Sequence, residues 1–451
     1  MYKSSNYNYV VPFENKYIYY NGLSRQLFSL NEQEHLRIHS LMNDLISFEI
    51  NYNSVFHQFK EWGFIIDENT DEIDILKYRN HKEIYSDRNY KLFINPTLEC
   101  NFSCWYCYEK HPKGYMSSDI QERIKKYIVY LIEQERIDSL TLSWFGGEPL
   151  LYFYEVVYPI SVFAKEVCEK YRIPFRNGIT TNASKIDLAM VDKMKEINLF
   201  SFQITIDGDE KRHDKIRNEK GAPSFQRIMA NINLLCENLF DVYIVLRVNY
   251  DNQTLEQSDM SSVFKGISEQ YRSHIGVDFQ RVWQTGGKEK GENIERKKLY
   301  NECCDLGFAD QGISAVFMPR HHYKCYADRR YYAEINYDGK VYRCTARGYE
   351  DKYVVGELKE NGQIAWNEKK MAKCIGKATF ENKMCLACKY LPLCMGPCSQ
   401  KVMETPEDKL SNICYLRDCE ITPEDAIIGY YKQKMKLLKE ARCKSENVEE
   451  N

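Results

Sequence analysis

Three cysteines lie close together as Cys100, Cys104 and Cys107, in a Cys-x3-Cys-x2-Cys arrangement. Three thiolates on one short loop can hold three irons of a 4Fe–4S cluster, because cysteine thiolates are the usual ligands of such clusters. No fourth cysteine lies nearby, so one iron would stay open, and an open position marks a chemical rather than a structural metal site. The alternatives are a zinc site completed by water, or chance clustering.

A second motif follows one predicted strand–helix unit later. Gly146-Gly147-Glu148-Pro149 comes directly after a predicted strand, and its glycines would let the backbone approach a ligand closely. Together with the cysteine loop, whose third cysteine is preceded by Tyr106, it resembles the motifs of the radical S-adenosylmethionine (SAM) superfamily. The resemblance implies that Cys100, Cys104 and Cys107 hold the catalytic cluster and that its open iron binds SAM. Reductive cleavage of SAM would then give a 5′-deoxyadenosyl radical that abstracts a hydrogen atom from the substrate.

The same resemblance implies a set of residues that contact SAM. They are Tyr106, Gly146, Gly147, Glu148, Pro149, Asn182, Thr205 and Arg217. Arg217 would pair with the SAM carboxylate, since a guanidinium suits bidentate recognition. Its alternative is a surface arginine packing beside Asp214. Arg247 and Asn249, at the end of a predicted strand, also face the site in this interpretation, although each could be an ordinary strand-end polar residue.

Eight further cysteines occur between Cys325 and Cys414. Their spacing resembles the SPASM domain of radical SAM enzymes that modify peptides and proteins, which implies two auxiliary 4Fe–4S clusters and three clusters in all. One would use Cys325, Cys344 and Cys398, and the other Cys385, Cys388, Cys394 and Cys414. The alternative is a zinc ribbon on Cys385, Cys388, Cys394 and Cys398.

Seven ligands leave one iron of the two auxiliary clusters without a cysteine. Our hypothesis is an open iron on the first auxiliary cluster that binds a substrate thiolate. The missing ligand could instead be Cys419, Cys374 or the Cys303-Cys304 pair, and Cys419 could also replace Cys414 as the last ligand.

Composition indicates where such a protein works. The formal net charge of −3 and the lack of a strongly basic block argue against binding nucleic acid or an anionic membrane. Met1 to Tyr20 does not read as a signal peptide, and no apolar run could span a bilayer, so we expect a cytoplasmic protein. In a reducing cytosol, seventeen cysteines indicate metal binding rather than disulfides. Cys168 and Cys236 sit singly in apolar helical patterns and are interpreted as core residues.

The elements that position these motifs suggest three domains, at 1–85, 86–320 and 321–451. In the first, Asn21-Gly22 predicts a hairpin between Tyr17–Tyr20 and Gln26–Leu30. Asn31 and Glu34 form the capping box of a first helix. A second helix over Ser54–Trp62, a strand over Phe64–Ile66 and a charged linker from Asp67 to Arg88 complete a winged-helix-like module.

The middle region alternates strands and helices, which predicts an α/β fold built on a parallel sheet, open or closed into a partial (β/α)6 TIM-like barrel. The strands are predicted over Lys91–Asn95, Ser139–Phe145, Phe175–Thr181, Ser201–Ile206, Val242–Asn249, Val277–Trp283 and Ile313–Met318. The helices are predicted over Ser118–Gln134, Tyr154–Tyr171, Asp187–Ile197, Ser224–Asn238, Gln257–Tyr271 and Ile294–Ala309. In such sheets the chemistry gathers at the carboxyl ends of the strands.

The last region is rich in hairpins. Turns at Asp338-Gly339 and Asn361-Gly362 predict two of them, and a final helix is predicted over Pro423–Lys439. With little apolar content, this segment would depend on its clusters for stability.

Two branches of the family share these motifs, and two features favour enzymes that mature ribosomally made peptides by thioether or carbon–carbon crosslinks. The N-terminal module, with its run from Phe59 to Asp67, resembles the element that binds a leader peptide by strand addition. Thr345 stands where anaerobic sulfatase maturases, which form formylglycine, carry an aspartate base. The implied partners are a precursor peptide with its leader and a low-potential electron donor such as a ferredoxin or flavodoxin. A non-catalytic iron–sulfur protein that binds peptides or carries electrons is the further alternative.

Overall fold

The computed structural model describes residues 1–285, 292–309, 322–375, 377–414, 416 and 422–449. The predicted strand Ile313–Met318 and the candidate ligand Cys419 lie outside these residues. The chain forms two compact units whose segments interleave along the sequence. One contains Met1–Ser86, the described part of 312–330 and the chain from Ala372 onward, and the other contains the described part of 87–311 and Tyr331–Met371. The division into three consecutive domains stays a prediction.

The second unit is built on one ten-stranded sheet, in the order β11-β10-β9-β8-β7-β6-β12-β13-β14-β15. Its parallel strands are β6 (Asn89–Ile94), β7 (Ser139–Trp144), β8 (Phe175–Thr181), β9 (Leu199–Ile206), β10 (Tyr243–Tyr250) and β11 (Ile275–Arg281). The large parallel sheet predicted from the alternation is therefore present.

The sheet continues beyond β6 into the cysteine-rich region. There β12 (Tyr332–Ile335) pairs in parallel with β6, and β13 (Lys340–Tyr342), β14 (Gly356–Leu358) and β15 (Ile364–Trp366) follow in antiparallel order. Both predicted hairpins are present, and Gly339 and Gly362 take the positive φ angles, +82° and +77°, that their turns require.

Helices connect the strands of this unit. Their bounds are α5 Ser118–Glu133, α6 Tyr158–Tyr171, α7 Leu188–Glu196, α8 Glu210–Ile216, α9 Phe225–Asn238, α10 Asn252–Gln257, α11 Met260–Lys265 and α12 Glu292–Asp305. Helix α13, Glu368–Cys374, follows β15, and its last three residues belong to the first unit. The single helix predicted over Gln257–Tyr271 is wrong. The side chain of Asp259 accepts from Ser262 N–H at 3.0 Å and starts α11, which ends before Gly266.

The N-terminal part of the first unit contains two small sheets and four helices. The sheets pair β1 (Tyr2–Ser4) with β5 (Ile65–Asp67), and β3 (Lys16–Asn21) with β2 (Asn8–Phe13) and β4 (Leu27–Leu30). The helices are α1 Glu32–Met42, α2 Leu45–Asn51, α3 Asn53–Glu61 and α4 Glu72–Ser86. The predicted capping box of α1 is present, with Asn31 Oδ1 accepting from Glu34 N–H at 2.9 Å.

The charged linker predicted from Asp67 to Arg88 is wrong, because most of it forms α4. Leu76, Asn80 and Ile84 recur every four residues and are buried, so one narrow stripe faces the core. Because most residues around that stripe are charged or polar, the sequence analysis did not detect the helical periodicity.

The C-terminal part of the same unit consists of helices. They are α14 Lys377–Phe380, α15 Lys383–Leu386, α16 Leu391–Cys394, α17 Ser399–Glu404 and α18 Pro423–Glu449. Tyr9 and Tyr20 from the N-terminal sheet share one hydrophobic core with Leu391 and Met395 from the cysteine-rich segment and Ile427 from α18. None of the described helices is both long and apolar enough to cross a membrane.

Candidate active site

The three cysteines of the first motif line one cavity in the parallel-sheet unit, with an empty volume of about 630 Å³. The predicted site residues that share its wall are Cys100, Cys104, Cys107, Tyr106, Gly146, Gly147, Asn182, Thr205 and Arg217.

Neighbouring parallel strands bring these residues together. The cysteine loop follows β6, the Gly146-Gly147 turn follows β7, Asn182 follows β8, and Thr205 lies near the end of β9. Because parallel strands end at the same edge of a sheet, motifs far apart in sequence meet there. Asn182 Nδ2 also donates to Asn101 Oδ1 at 2.8 Å, which ties the end of β8 to the cysteine loop.

The two glycines fit the turn tightly against the start of the cysteine loop. Gly147 has a φ of +51°, and a Cβ there would lie 2.3 Å from the carbonyl oxygen of Glu99. Gly146 has a φ of +79°, and a Cβ there would lie 2.8 Å from Asn95 Cβ. Gly147 N–H donates to Glu109 Oε2 at 2.8 Å. These contacts show that packing within the protein requires glycine at both positions. The sequence analysis had attributed the glycines to the close approach of a ligand.

The carboxylate of Glu148 is buried behind the cavity wall. It accepts from Thr181 Oγ1 at 2.6 Å, from Asn182 N–H at 2.7 Å and from Leu150 N–H at 3.0 Å. Burial raises the pKa of Glu148, while these hydrogen bonds act in the opposite direction. Pro149 is also buried, as the first residue of a short 3-10 turn. Glu148 therefore positions the end of β8 through direct hydrogen bonds.

Arg217 reaches the cavity from the chain segment after α8. Its side chain is 12% exposed and forms an ion pair with buried Asp207. The hydroxyl of Tyr106 lies 2.7 Å from each Asp207 carboxylate oxygen and accepts from Arg217 Nη2 at 2.9 Å and Asn249 Nδ2 at 3.1 Å. The alternative of a surface arginine beside Asp214 is wrong, because Asp214 instead accepts from two backbone N–H groups at the start of α9, at 2.7 and 2.8 Å.

Burial makes thiolates costly at this site in the absence of a metal. It raises the pKa of Cys100 to about 12 and also raises the pKa values of Cys104 and Cys107. The guanidinium of Arg217 acts in the opposite direction on all three. Bound iron would supply the positive charge that keeps the sulfurs ionised.

The donor set fits an iron–sulfur cluster. Three sulfurs on one loop line a cavity, and glycines and an arginine complete its wall. Within the described residues, no group of three His, Cys, Asp or Glu side chains converges as ligands of a single ion. Thiolates bound to different irons of a 4Fe–4S cluster lie farther apart than the ligands of a single ion. We therefore judge the fit of a cluster by the type of donor atom and by the cavity that the sulfurs line.

The four cysteines of the predicted second auxiliary cluster lie together in the first unit. Burial raises the pKa of Cys385 to about 12, and the charges of Cys394, Cys388 and Cys414 raise it further. Cys385 lies on α15 and Cys394 ends α16. Asn382 caps α15, and its Nδ2 donates to the carbonyl oxygen of Ile413, the residue before Cys414, at 3.3 Å.

Two cysteines of the predicted first auxiliary cluster also belong to this unit. Asp328 Oδ2 accepts from Cys325 N–H at 2.9 Å, and the other oxygen of Asp328 bonds to the hydroxyl of Ser399, next to Cys398. Asp328 therefore joins the segments that carry Cys325 and Cys398. The third, Cys344, belongs to the other unit, where it follows β13.

The candidates for a missing ligand lie apart from each other in the chain. Cys374 is buried at the end of α13, with its sulfur 3.0 Å from Met403 Sδ, and Cys303 is buried on α12. The predicted core cysteines, Cys168 and Cys236, are buried on α6 and α9.

Glu109 is a site residue that the sequence analysis missed. It lines the cavity and accepts the Gly147 N–H, two residues after the last cysteine of the loop. Its position directly beyond the motif is the only signal that could have pointed to it.

Comparison with protein families finds two matching models. Residues 94–259 match the radical SAM superfamily, and residues 325–389 match SPASM, an iron–sulfur cluster-binding domain. The chain is a radical SAM protein with a SPASM domain. The radical SAM domain implies SAM and a 4Fe–4S cluster, and the SPASM domain implies additional clusters.

This radical SAM protein resembles curated relatives over part of its length. It is 32% identical over 212 residues to the serine-type anaerobic sulfatase-maturating enzyme of Bacteroides thetaiotaomicron, covering 44% of this chain and 49% of the relative. It is 27% identical over 158 residues to the sporulation killing factor maturation protein SkfB of Bacillus subtilis, covering 35% of each chain. The chain thus spans half or less of the length of these relatives.

The solved structures support the fold. Native anSMEcpe with bound AdoMet matches 71% of this chain and 98% of its own, at 19% identity and a TM-score of 0.52. At this identity the match concerns the fold alone, and it supports the mixed α/β architecture built on a large parallel sheet.

Proposed function

We propose that this radical SAM protein matures a ribosomally made precursor peptide by installing a thioether or carbon–carbon crosslink. The observation that carries the proposal is the shared cavity of Cys100, Cys104, Cys107, Gly146 and Gly147, combined with the N-terminal module in the same chain. The radical SAM and SPASM matches support it, as does the partial similarity to the maturation protein SkfB.

In this proposal Cys100, Cys104 and Cys107 hold the catalytic cluster, which supplies reductive cleavage of SAM to a 5′-deoxyadenosyl radical. The protein's own residues bind and orient SAM. Thr205, Asn182, Tyr106 and Arg217 form one side of the cavity, and the backbone of the Gly146-Gly147 turn forms another. Pairing with Asp207 fixes the guanidinium of Arg217, so the side chain loses little rotamer freedom on meeting the SAM carboxylate.

Two auxiliary clusters complete a proposed total of three. Cys385, Cys388, Cys394 and Cys414 would hold one, consistent with their mutual electrostatic interaction in the first unit. Cys325, Cys344 and Cys398 would hold the other, with an iron left open for a substrate thiolate. The electron donor would be a low-potential protein such as a ferredoxin or flavodoxin.

The N-terminal module would bind the leader of the precursor. Its β2-β3-β4 sheet has two outer strands, and an extended peptide can add to such an edge through main-chain hydrogen bonds. Helices α1 to α3 pack beside this sheet around Phe48, Phe56 and Phe64. This arrangement is compatible with the predicted winged-helix-like module.

Formylglycine formation is the second candidate, favoured by the 32% identity to a sulfatase-maturating enzyme. Thr345 argues against it, because this residue directly follows Cys344 and has no carboxylate to act as a base.

The experiment is anaerobic reconstitution followed by reduction in the presence of SAM and a candidate precursor encoded beside the gene. We expect 5′-deoxyadenosine, together with a crosslink located by tandem mass spectrometry. The Cys104→Ala variant should form no 5′-deoxyadenosine, whereas Cys236→Ala, which changes a buried cysteine outside the motifs, should remain active. If SAM stayed intact in the presence of the reduced wild-type protein, the proposed enzymatic activity would be refuted. An aldehyde that reacts with a hydrazide would indicate formylglycine instead.

A further inference from the structure

The carboxyl group of Glu334 is fully buried, and it lies on the face of the large sheet where Phe93 packs on Phe145 of the cavity wall. Glu334 is opposite Phe93 in the register of β12 and β6, and Phe93 contacts Tyr332 with a ring separation of 5.7 Å. Alternate residues of β6 face the other way, since Tyr90 packs on Tyr127 of α5. Glu334 is therefore on the face opposite α5.

The hydrogen bonds around Glu334 lack one donor. Its Oε1 accepts from Tyr349 Oη at 2.7 Å and from Asn95 Nδ2 at 3.3 Å. Its Oε2 and the Oδ1 of Asn95 are both buried and have no hydrogen-bond partner among the described residues. The two side chains thus present two buried acceptors without a donor, and leaving a buried polar atom unpaired is unfavourable.

Rotating the Asn95 amide does not resolve this conflict. Its Nδ2 also lies 3.4 Å from Asn336 Oδ1, and Asn336 uses its own amide nitrogen to donate to Asp338 at 3.1 Å. After rotation Asn95 Oδ1 would face two acceptors, Glu334 Oε1 and Asn336 Oδ1. A proton on Glu334 Oε2 would supply the missing donor.

The charges near Glu334 also oppose its ionised form. Burial is the main cause that raises the pKa of Glu334 to about 7, and the carboxylate of Glu109 raises it further. The hydrogen bonds from Tyr349 and Asn95 act in the opposite direction and lower the pKa of Glu334. The hydroxyls of Tyr108 and Tyr342 interact with the same carboxylate.

We propose that Glu334 is a neutral carboxylic acid whose Oε2–H donates to Asn95 Oδ1, and that this acid–amide pair positions the Gly146-Gly147 turn. Together with the reverse bond from Asn95 Nδ2, one proton satisfies both unpaired acceptors. Asn95 passes the effect on because its amide carbon Cγ packs against the turn, 2.9 Å from the place that a Cβ on Gly146 would take. The inference rests on the proposed function in assigning that turn to SAM binding.

Glu334 is thus a positioning residue with a pH-dependent effect. Loss of its proton removes the donor to Asn95 Oδ1 and leaves a negative oxygen facing it. The amide then moves away, and its contact with the turn loosens. SAM affinity should fall as the pH rises through about 7.

Infrared spectroscopy tests the protonation state in the complete protein. With glutamate labelled by ¹³C at the carboxyl carbon, the wild type should show a protonated carboxyl band below about pH 7 that disappears above it. Glu334→Gln should remove this band, and Glu360→Gln, at a side chain that is 90% exposed, should keep it. A wild type without the band, or a band that persists in Glu334→Gln, would overturn the proposal.

The SAM dissociation constant, measured across the same pH range, tests the positioning role. Glu334→Gln keeps a donor for Asn95 Oδ1 and an acceptor for Tyr349, so it should bind SAM as tightly as the wild type at low pH and lose the pH dependence. An equal pH dependence in both proteins would contradict the positioning role. If the proposed maturase activity were absent, the infrared band would still appear, so the two failures are distinguishable.

Discussion

At the scale of single residues, the site depends on close contacts that leave no room for a side chain. The turn after β7 packs directly on the backbone that leads into the cysteine loop, and Gly147 makes the closest approach. The positions of the three proposed cluster ligands therefore depend on a glycine, which has no side chain. Electrostatics acts at the same scale, since Asp207 and Tyr106 hold Arg217 beside the sulfurs.

We predict that Gly147→Ala reduces iron at the radical loop and abolishes SAM cleavage. The new Cβ would lie 2.3 Å from Glu99 O, so the backbone that leads to Cys100 must move. Iron content per chain and 5′-deoxyadenosine yield measure the effect. The matched control is Gly221→Ala, which has a similar positive φ of +88° but nothing within 4 Å. If both variants lost iron and 5′-deoxyadenosine to the same extent, the positive φ angle rather than the contact with Glu99 would explain the loss.

His213 gives a prediction on pH. Burial is the main cause that lowers its pKa from 6.5 to about 3, so the unfolded chain binds a proton that the folded chain does not. The free energy of unfolding should therefore fall as the pH drops below about 6.5, by about 1.4 kcal/mol per pH unit from this residue. Urea unfolding of the wild type and His213→Asn, at matched iron content, measures the difference. Parallel pH profiles would contradict the assignment.

At the scale of secondary-structure elements, short buried stripes decide which segments are ordered. Helix α4 shows this most clearly, since its surface is charged and only a narrow face packs inward. The cysteine-rich segment behaves similarly, because short helices and turns there are held by Asn382, Asp328 and a few apolar side chains.

We predict that Leu76→Ala destabilises the protein by about 2–5 kcal/mol, because it removes a fully buried side chain from a packed core. The matched substitution on the same helix is Tyr78→Ala, at a residue that is 68% exposed, and it should change stability by less than about 0.5 kcal/mol. Urea unfolding followed by circular dichroism gives both values. A small effect at Leu76 would mean that α4 is the dispensable linker that its charge suggested.

At the scale of the molecule, the N-terminal module is an integral part of the first unit rather than a separately folded domain. Its sheet and the C-terminal cysteine segment bury side chains in one core, although hundreds of residues separate them in sequence. Leader binding and cluster binding would therefore occur on one folded body within that unit.

A truncation tests this dependence. A chain without Met1–Ser86 would expose Leu391, Met395 and Ile427, so we expect it to lose the auxiliary cluster assigned to Cys385, Cys388, Cys394 and Cys414. Iron content and electron paramagnetic resonance after reduction report the loss. The full-length variant Ile46→Ser, which changes a residue that is 74% exposed, should keep its clusters. Full iron content in the truncated chain would show that the shared core is not needed.

The amino-acid sequence alone was enough to indicate the family and the candidate cluster ligands. Cysteine spacing, the Gly-Gly-Glu-Pro motif and alternating periodicity are local properties, so they indicated a cluster loop, a parallel sheet and the family that the comparisons then supported. The contacts of the residues around these motifs became visible only in the folded chain. It paired Arg217 with Asp207, showed why Gly147 must lack a side chain, revealed α4, and placed Glu334 against Asn95. These contacts are made between residues that are distant in the sequence. Their energies depend on burial and on short interatomic distances, which residue types and spacing do not reveal.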